Sequence, residues 1–501
     1  MCFQCFNNST SRGKSNLGVT ENVEGHRFTG DTIVAEATPQ GRAGVSIVRV
    51  SGPNARSIAE ALSGKVSEPR VARVKPIVGS GDALIDEAVV IFFKGPQSFT
   101  GEDIVEFQTH GGPIVVQRTV TACRAFGARM ARPGEFSERA FLNGKLDLVQ
   151  LEAVADLISS ESEQAAKNAL QSLKGVFSEL VHSLTEETTS LRVFIEAAID
   201  FSDEEGVDFL EEGEVLSRVR ILSESLSKLL SEAKTGAKLR SGLKLTLVGE
   251  PNVGKSSLMN VLARHDAAIV TDIAGTTRDV IREQVLIKGW VFQLSDTAGI
   301  RETSDPVELE GVQRSHRSMS ESDVALYLVD AQTVLSQQSV LSDETVTGPI
   351  TKDNSALEAA LPVELIGTKR SSDLFVINKI DQLKDSEQAA IREGIRGRTD
   401  VVMTSLTEKF GLEDLETLIA ERAEALTKSE STFSARERHV EALQIAQAAL
   451  SDAMRGLEEE QPGELVAEDL RRVQEALGEI TGRVTSDALL GRIFSSFCIG
   501  K

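Results

Sequence analysis

A strand pattern that runs directly into a glycine-rich loop constrains the fold of this chain more than any other feature. Residues 244–262 read KLTLVGEPNVGKSSLMNVL, and Gly249 to Ser256 fit the phosphate-binding motif G-x-x-x-x-G-K-[ST] between a strand and a helix. In such a loop backbone N–H groups surround phosphate oxygens, so we expect Lys255 to neutralise the outer phosphates and Ser256 to ligate Mg²⁺. The sequence therefore predicts a doubly wound, Ras-like α/β nucleotide-binding domain.

Two later motifs specify the nucleotide. The string LSDTAG places Asp296 at the end of a strand, suited to the Mg²⁺ shell, and Gly299 beside the γ-phosphate. The string LFVINKID places Asn378, Lys379 and Asp381 after another strand. A carboxylate at Asp381 accepts two hydrogen bonds from guanine, whereas adenine has neither donor at that edge. The order of the three motifs predicts a GTPase.

A switch loop is expected between the first two motifs. Residues 271–279 read TDIAGTTRD, and Thr277 is the natural second hydroxyl on Mg²⁺. The residue after DTAG is Ile300, which cannot orient a water molecule, so another group must do so. The candidate GTP-binding residues are Asn252, Val253, Gly254, Lys255, Ser256, Ser257, Thr271, Asp272, Ile273, Ala274, Gly275, Thr276, Thr277, Asp296, Thr297, Ala298, Gly299, Asn378, Lys379 and Asp381.

Composition limits the partners and the compartment. The 501 residues carry 54 Lys and Arg against 76 Asp and Glu, a net charge of −22, which argues against free-standing binding to a nucleic-acid backbone. No apolar run approaches the roughly 18 residues of a membrane helix, and four scattered cysteines do not form a disulfide framework. We expect a soluble cytoplasmic protein that meets RNA through a partner or a small local patch.

Changes in the hydrophobic pattern divide the chain into segments. We expect a flexible extension at 1–30, an α+β domain at 31–146, helices at 147–240, the GTPase domain at 241–428 and further helices at 429–501. Helices of one character on both sides of the α/β block favour a single helical domain with an inserted GTPase domain. Two separate helical bundles are the alternative.

Two further segments carry expectations. Residues 333–373 lack clear periodicity, which predicts a surface loop. The chain ends in SSFCIGK, and a disordered terminus has no need for the apolar residues Phe494, Phe497 and Ile499. We therefore expect the tail to be docked on the rest of the protein.

The chain resembles the tRNA-modification GTPases of the MnmE (TrmE) family. The resemblance is carried by DTIVAEATPQGRAGVSIVRVSG, SFTGEDIVEFQTHGG, RPGEFSERAFLNGKLDL and TSDALLGRIFSSFCIGK, which occur in one order along residues 31–501. It implies an N-terminal α+β folate-binding domain, a split helical domain with an inserted GTPase domain, and dimerisation through the N-terminal domains. The guanine-backing SAK string of the family is TSLTE here, with Leu406 in place of alanine, which leaves that contact open.

For GTP hydrolysis, the resemblance implies activation by K⁺ when two GTPase domains approach each other. Asn252 and loop oxygens of Thr271, Ile273 and Thr276 would hold K⁺ against the phosphates, where negative charge develops. Glu308 matches the water-orienting glutamate of the family. From the residues alone it is one acid of several in a solvated stretch.

For the second site, the resemblance implies a tetrahydrofolate derivative as one-carbon donor. Arg49, Glu106, Lys145 and the terminal Lys501 match the folate-contacting residues of the family, and such charges suit a pterin edge and a glutamate tail. Cys498 would lie beside the one-carbon unit as a nucleophile or acid, although a packed structural thiol stays open. The candidate catalytic residues are Lys255, Glu308 and Cys498.

The resemblance also implies partners. Family members form a homodimer and a heterotetramer with the flavoprotein MnmG, which supplies FAD and much of the tRNA contact. The pair installs an aminomethyl-type group, in many bacteria carboxymethylaminomethyl, at C5 of the wobble uridine of tRNA. The rival interpretations are a switch-type ribosome- or assembly-associated GTPase without covalent chemistry at a second site, and an enzyme whose substrate is a folate alone.

Overall fold

The computed structural model of the chain describes residues 30–79, 81–200, 212–265, 283–296, 322–341, 357–358, 360–361, 370–427, 433–484, 486–495, 497 and 500. The chain divides into two compact units. The first contains Met1–Ala155, Ser172–Ser225 and Ala442–Lys501, and the second contains Asp156–Gln171 and Leu226–Glu441. The predicted domain boundaries stay predictions.

The first unit contains a mixed sheet. Its six strands in the described residues are ordered β3-β4-β5-β2-β1-β6, with β1 parallel to β6 and the other pairs antiparallel. The helices α1 and α2 contribute Ile58 and Cys123 to the core beneath the sheet. The elements are β1 Thr32–Glu36, β2 Ala43–Ser51, α1 Ala55–Ser63, β3 Arg73–Val78, β4 Leu84–Phe93, β5 Ile104–Gly111, α2 Pro113–Ala125 and β6 Ala128–Met130.

Long helices follow the first sheet and return after the second. Before the second sheet they are α3 Glu135–Leu142, α4 Leu148–Ile158, α5 Glu163–Leu173, α6 Val176–Asp200 and α7 Glu212–Ser241. After it they are α12 Glu437–Glu458, α13 Gly463–Thr481 and α14 Asp487–Ser495. Within the described segments, no helix combines the length and apolar character needed to cross a bilayer.

The long helices bury one apolar face. Helix α6 buries Phe177, Val181, Leu184 and Leu191, at the alternating spacing of three and four residues that places side chains on one face. It packs on α13, which buries Val466, Leu470, Val473, Leu477 and Ile480. Leu180 is exposed, because it lies one residue off that face.

The second unit contains the doubly wound sheet. Its six strands in the described residues are ordered β12-β11-β10-β7-β9-β8, all parallel except β8 against β9. The predicted multidomain α/β class is confirmed. The elements are β7 Leu243–Gly249, α8 Lys255–His265, β8 Glu283–Ile287, β9 Trp290–Asp296, β10 Val324–Asp330, α9 Ala331–Leu341, β11 Leu374–Asn378, α10 Asp385–Gly394, β12 Val401–Met403 and α11 Leu412–Leu426.

The carboxyl ends of β7, β10 and β11 lie at one edge of this sheet, because parallel strands point the same way. Gly249 of β7 pairs with Leu328 of β10, and Asp330 of β10 pairs with Asn378 of β11. Loops that follow parallel strands at this edge form the usual ligand crevice of open α/β sheets. The glycine-rich loop and the NKID string therefore share one crevice.

The buried carboxylate of Asp156 binds both the segment that enters the second sheet and the segment that follows its last helix. Arg240, at the end of α7, donates from Nε to Oδ1 of Asp156 at 2.8 Å. Arg436, at the start of α12, donates to the same oxygen at 2.6 Å, and Ser434 donates to Oδ2 at 3.2 Å. Asp156 therefore fixes the segments just before β7 and just before α12.

The prediction of a surface loop over 333–373 was partly wrong. Helix α9 continues to Leu341, and Val334 is fully buried against the sheet. Leu357 and Leu361 are also buried in that core. The helix was not predicted because most of its residues are polar and only one narrow face is apolar. The remainder, residues 342–356 and 362–369, lies outside the described residues.

The prediction of a docked tail is confirmed for the residues that the structure describes. Phe494 and Phe497 are 3% and 6% exposed, and they pack with Ala140, Leu148 and Leu151. The two rings meet edge to face with centroids 5.8 Å apart. Burial of this apolar surface stabilises the docked tail.

Candidate functional site

The glycine-rich loop has the backbone shape of a phosphate cradle. Gly249, Asn252 and Gly254 have φ angles of 152°, 62° and 107°, values that turn successive N–H groups inward. A Cβ on Gly249 would clash with the carbonyl oxygen of Leu328, and a Cβ on Gly254 would clash with Nδ2 of Asn378. Both positions therefore require glycine for its conformation and for its size.

A fixed cation and exposed hydroxyls complete this cradle. Nζ of Lys255 donates to the carbonyl oxygens of Gly249 at 2.7 Å and Glu250 at 2.8 Å. Ser256 and Ser257 are exposed in the first turn of α8, where the helix dipole attracts anions. A positive charge, free hydroxyls and a helix N-terminus fit a phosphate group with Mg²⁺.

Asn378 connects the NKID string to the loop. Its Nδ2 donates to the carbonyl oxygen of Val253 at 2.8 Å, and its Oδ1 accepts from Oγ1 of Thr404 at 3.4 Å. With 3% exposure, Asn378 is a structural bridge between three segments. Leu406 packs against the apolar core, and its side chain faces Gly254. Thr404 was not among the predicted site residues.

The predicted guanine-reading residues lie at the open end of the crevice. Asp381 lies in a 3-10 turn at Ile380–Gln382 and is exposed. Lys379 has φ of 65°, and its Nζ lies 2.8 Å from Oδ2 of Asp330. Asp330 was not among the predicted site residues. Its position at the end of the adjacent parallel strand, level with Asn378, was the signal that could have identified it.

The structure does not describe the side chains of the other candidate residues of the nucleotide site. Asp296 ends β9 and pairs in register with Leu247, but only its backbone is described. The following candidates lie outside the described residues: Thr271, Asp272, Ile273, Ala274, Gly275, Thr276, Thr277, Thr297, Ala298, Gly299, Ile300 and Glu308.

A second cluster forms in the first unit around Arg49 and Glu106. The two residues are register partners on β2 and β5, and Nη2 of Arg49 lies 2.9 Å from Oε1 of Glu106. Their side chains are 21% and 14% exposed. The guanidinium also lies 5.7 Å from the ring centroids of Phe99 and Phe136, so cation–π attraction helps to fix it.

The tail reaches this cluster. Nη1 of Arg49 donates to the carbonyl oxygen of Gly500 at 3.4 Å, although 451 residues separate them along the chain. Gly500 has φ of 96°, and a Cβ there would clash with the carbonyl oxygen of Glu36. The tail also lies on Gly134, where a Cβ would lie 3.1 Å from Cβ of Phe497. Cys498 and Lys501 lie outside the described residues.

Lys145 lies beside the loop that carries Phe99. Its Nζ donates to the carbonyl oxygen of Pro96 at 2.9 Å, and its methylenes lie against Gly101. Asn143 anchors the same loop by donating to the carbonyl oxygen of Thr100 at 2.7 Å. The structure therefore connects Lys145 to the Arg49 cluster through this loop.

A buried ionic network lies next to this second cluster and was not expected from the sequence. Arg139 and Glu135 are fully buried, and Nη2 of Arg139 donates to Oε1 of Glu135 at 3.1 Å. Nη1 of Arg139 donates to Glu102, which also accepts from Ser51 at 2.7 Å. Burial alone would raise the pKa of Glu135, but its hydrogen bonds with Arg129, the Arg132 backbone and Arg139 lower that pKa to about 2.

Comparison with known proteins identifies the family. The family model of the GTP-binding protein TrmE N-terminus matches residues 32–145, and the family model of the MnmE helical domain matches residues 148–498. Among solved structures, the FeoB G domain of Methanococcus jannaschii is 21% identical, covering 36% of this chain and 98% of that one, with a TM-score of 0.23.

Curated relatives match over nearly the whole chain. The tRNA modification GTPase MnmE of Pseudomonas fluorescens Pf-5 is 47% identical over 475 residues, and that of Pseudomonas syringae pv. tomato is 49% identical over 476 residues. The relative from Pseudomonas aeruginosa PAO1 is 48% identical. Each alignment covers 94% of this chain and 99% of the relative. The chain therefore belongs to the MnmE (TrmE) family of tRNA-modification GTPases.

Proposed function

We propose that this protein is a K⁺-activated GTP hydrolase that acts with an MnmG-type flavoprotein. The pair would place an aminomethyl or carboxymethylaminomethyl group at C5 of the wobble uridine of tRNA, with a tetrahydrofolate derivative as the one-carbon donor. Near-half identity to MnmE proteins over 94% of the chain supports the tRNA-modifying role. The observation that carries the folate assignment is the meeting of Arg49, Glu106 and the Gly500 carbonyl.

The nucleotide half of the proposal follows from the crevice of the second sheet. Lys255 and the loop N–H groups would bind the phosphates, Ser256 with Thr277 would hold Mg²⁺, and Asp381 would read guanine. Asn252 and the switch loop would hold K⁺, whose positive charge would stabilise the negative charge that develops on the phosphate. Asn252 is exposed with its φ of 62°, so its side chain is available for this role.

The folate half follows from the chemistry of the second cluster. A pterin presents a planar edge of N–H donors, for which the carboxylate of Glu106 is a fitting acceptor. Arg49, Lys145 and Lys501 are cations that suit the glutamate tail of a folate. Cys498, two residues before Gly500 in the sequence, is kept as the candidate acid or nucleophile.

The distribution of charge is consistent with a divided task. Residues 31–146 contain 14 Lys and Arg against 12 Asp and Glu, whereas the whole chain has a net charge of −22. An acidic protein gains little from the phosphate backbone of tRNA. We therefore propose that the protein works as a cytoplasmic homodimer and meets tRNA mainly within a complex with the FAD-carrying partner.

A binding experiment tests the folate assignment. Glu106→Gln keeps the shape of the side chain but removes the charge that faces the pterin, so the affinity for a stable tetrahydrofolate derivative should fall about tenfold or more. The matched control is Glu87→Gln, an exposed acid on the neighbouring strand β4. Calorimetry measures both variants. Equal folate affinity of wild type and Glu106→Gln would refute the assignment.

A salt exchange tests the K⁺ site. Replacement of K⁺ by Na⁺ at equal ionic strength should slow GTP turnover by at least about tenfold if a K⁺ ion stabilises the transition state. Asn252→Ala should remove most of this difference. Equal turnover of the wild-type protein in the two salts would exclude the ion site.

A cellular measurement tests the tRNA assignment. Cells that lack the gene should contain wobble uridines without the C5 aminomethyl-type group, as measured by mass spectrometry of digested tRNA. Unchanged modification in those cells would contradict the proposal and favour a switch-type GTPase.

A further inference from the structure

Lys379 in the guanine-reading string is held by a charged partner that no motif of the nucleotide site includes. Its ammonium lies 2.8 Å from Oδ2 of Asp330, the last residue of β10. Their side chains are 29% and 21% exposed, so the pair is partly shielded from water. Such a pair is stronger than a fully exposed one because less solvent screens it.

The backbone at Lys379 indicates that its side chain is needed there. A φ of 65° with ψ of 33° is the left-handed conformation, which glycine adopts most easily. A residue with a Cβ in this conformation is strained, and such strain is concentrated at functional sites. The chain keeps a lysine at this position, and the ion pair with Asp330 helps to stabilise the unfavourable conformation.

Asp330 itself is fixed from two sides. Its Oδ1 accepts a hydrogen bond at 2.9 Å from the backbone N–H of Gln332, in the first turn of α9. Its backbone is level with Asn378 in the parallel pair of β10 and β11, and Asn378 donates to Val253 of the phosphate loop. One carboxylate thus caps a helix with one oxygen and directs Lys379 with the other.

Helix capping alone does not account for this residue. Ser, Thr and Asn cap helices as well as Asp does, but a neutral cap would not pair with the Lys379 ammonium. With its ammonium paired to Asp330, Lys379 is 29% exposed, so part of its side chain stays accessible. Lysine stems commonly cover apolar or aromatic faces in this way while the charged head stays polar.

We propose that Asp330 is a positioning residue of the guanine-nucleotide site. It holds the Lys379 side chain so that the methylenes lie against the face of the bound purine while Asp381 reads its edge. Asp330 acts through Lys379 and does not itself touch the nucleotide. This role concerns how long the nucleotide stays bound and how well it is oriented, and it rests on the GTP-binding assignment of the crevice.

The charge-neutral variant Asp330→Asn tests this role because asparagine preserves the helix cap. We expect the release of a fluorescent GDP analogue to become about tenfold faster, a loss typical of one broken side-chain coupling. The change should appear in KM for GTP and not in kcat, since Asp330 does not contact the reacting phosphate. Asp385→Asn, which replaces an exposed acid in the first turn of α10, serves as the control.

A double-mutant cycle separates positioning from a general structural effect. Lys379→Met keeps the stem but removes the ammonium, so it should also speed GDP release. The combined Asp330→Asn, Lys379→Met variant should then be no worse than the worse single variant. Additive losses, or wild-type release rates in Asp330→Asn, would overturn the proposal. If Asp330→Asn lowers the melting temperature markedly, the affinities of Lys379→Met for GTP and ITP decide. Positioning predicts that both affinities fall by the same factor, so that the GTP-to-ITP ratio stays that of the wild-type protein. A changed ratio would overturn the proposal.

The wild-type protein provides the reference for the underlying assignment. If it binds GTP selectively while Asp330→Asn releases GDP normally, only the role of Asp330 fails. If the wild-type protein does not prefer GTP to ATP, the GTP-binding assignment of the crevice fails first.

Discussion

The phosphate crevice and the Arg49 cluster are assembled in opposite ways. The crevice is built from short strings that follow neighbouring parallel strands, so Lys255, Asn378 and Asp330 lie at one edge of a single sheet. The Arg49 cluster joins residues 451 positions apart, which only the docking of the tail brings together. The difference teaches that a local motif can specify a nucleotide site, whereas a site formed by a chain terminus requires the tertiary structure.

Both regions nevertheless depend on glycines at close backbone approaches. Gly254 leaves room for the Asn378 side chain, and Gly500 leaves room for the Glu36 carbonyl oxygen. Both have positive φ angles. A single added methyl group can therefore damage one region while sparing the other, which makes the comparison testable.

The largest expected effect is in the crevice. Gly254→Ala places a methyl group against Nδ2 of Asn378 and strains the backbone, so GTP affinity should fall by roughly three orders of magnitude. Gly289→Ala is the control, because its φ of 86° imposes similar strain but no atom lies within 4 Å of the added methyl. Because Gly289 lies in the turn between β8 and β9, equal losses of GTP affinity in both variants would show a general effect of backbone strain and not an effect of the contact with Asn378.

A selectivity change sharpens the assignment of the same region. Asp381→Asn replaces one of the two carboxylate oxygens that would accept from guanine by an NH2 donor, so the preference for GTP over ATP should fall about a hundredfold. Competition binding measures this ratio. An unchanged ratio would mean that the exposed carboxylate of Asp381 is not the guanine reader.

An acid-stability measurement tests the network beside the Arg49 cluster. Glu135 has a folded-state pKa of about 2, below its ordinary value of 4.5. Its stabilising contribution is therefore present above pH 4.5 and is lost as the pH falls towards 2. We expect a loss of about 2 kcal/mol in the free energy of unfolding of the first unit over this interval, reduced by the exposure of Arg129.

The variant Glu135→Gln should flatten this dependence in urea unfolding at pH 7 and pH 3. Glu60→Gln, a half-exposed acid on α1, is the control. A pH dependence of Glu135→Gln as steep as that of the wild-type protein would show that other groups cause the acid sensitivity.

The smallest expected effect lies at the tail. Gly500→Ala should weaken docking on Glu36 and lower folate affinity about tenfold through the altered contact with Arg49. Gly491→Ala, with no atom within 4 Å of the added methyl, is the control. A folate affinity equal to that of the wild-type protein would separate the tail from the Arg49 cluster.

The sequence predicted those features whose cause is local. Strand patterns predicted the α/β class, and glycine spacing predicted the phosphate loop. Apolar residues at the end of the chain predicted that the tail is docked. Helix α9 was not predicted, because its single buried face around Val334 is too narrow for a periodic signal. The predicted site residues stay predictions of function, even where the structure describes their geometry.

Other features depend on contacts between residues that are far apart in the sequence. The buried network of Arg139 with Glu102 and Glu135 satisfies three charges whose residues look like ordinary surface ions in the sequence. Asp330 could have been found from the rule that adjacent parallel strands end at one edge. No local pattern relates Gly500 to Arg49 across 451 residues, and only the family resemblance, which groups Arg49 with Lys501, implied their approach.

The most direct test measures GTP hydrolysis and wobble-uridine modification in one reaction with the protein, its flavoprotein partner and tRNA. We expect Gly500→Val, which disturbs the tail, to hydrolyse GTP at the wild-type rate while modification falls at least about tenfold. Parallel loss of both activities, or full modification by Gly500→Val, would contradict the assignment of hydrolysis to the crevice and of modification chemistry to the Arg49 cluster.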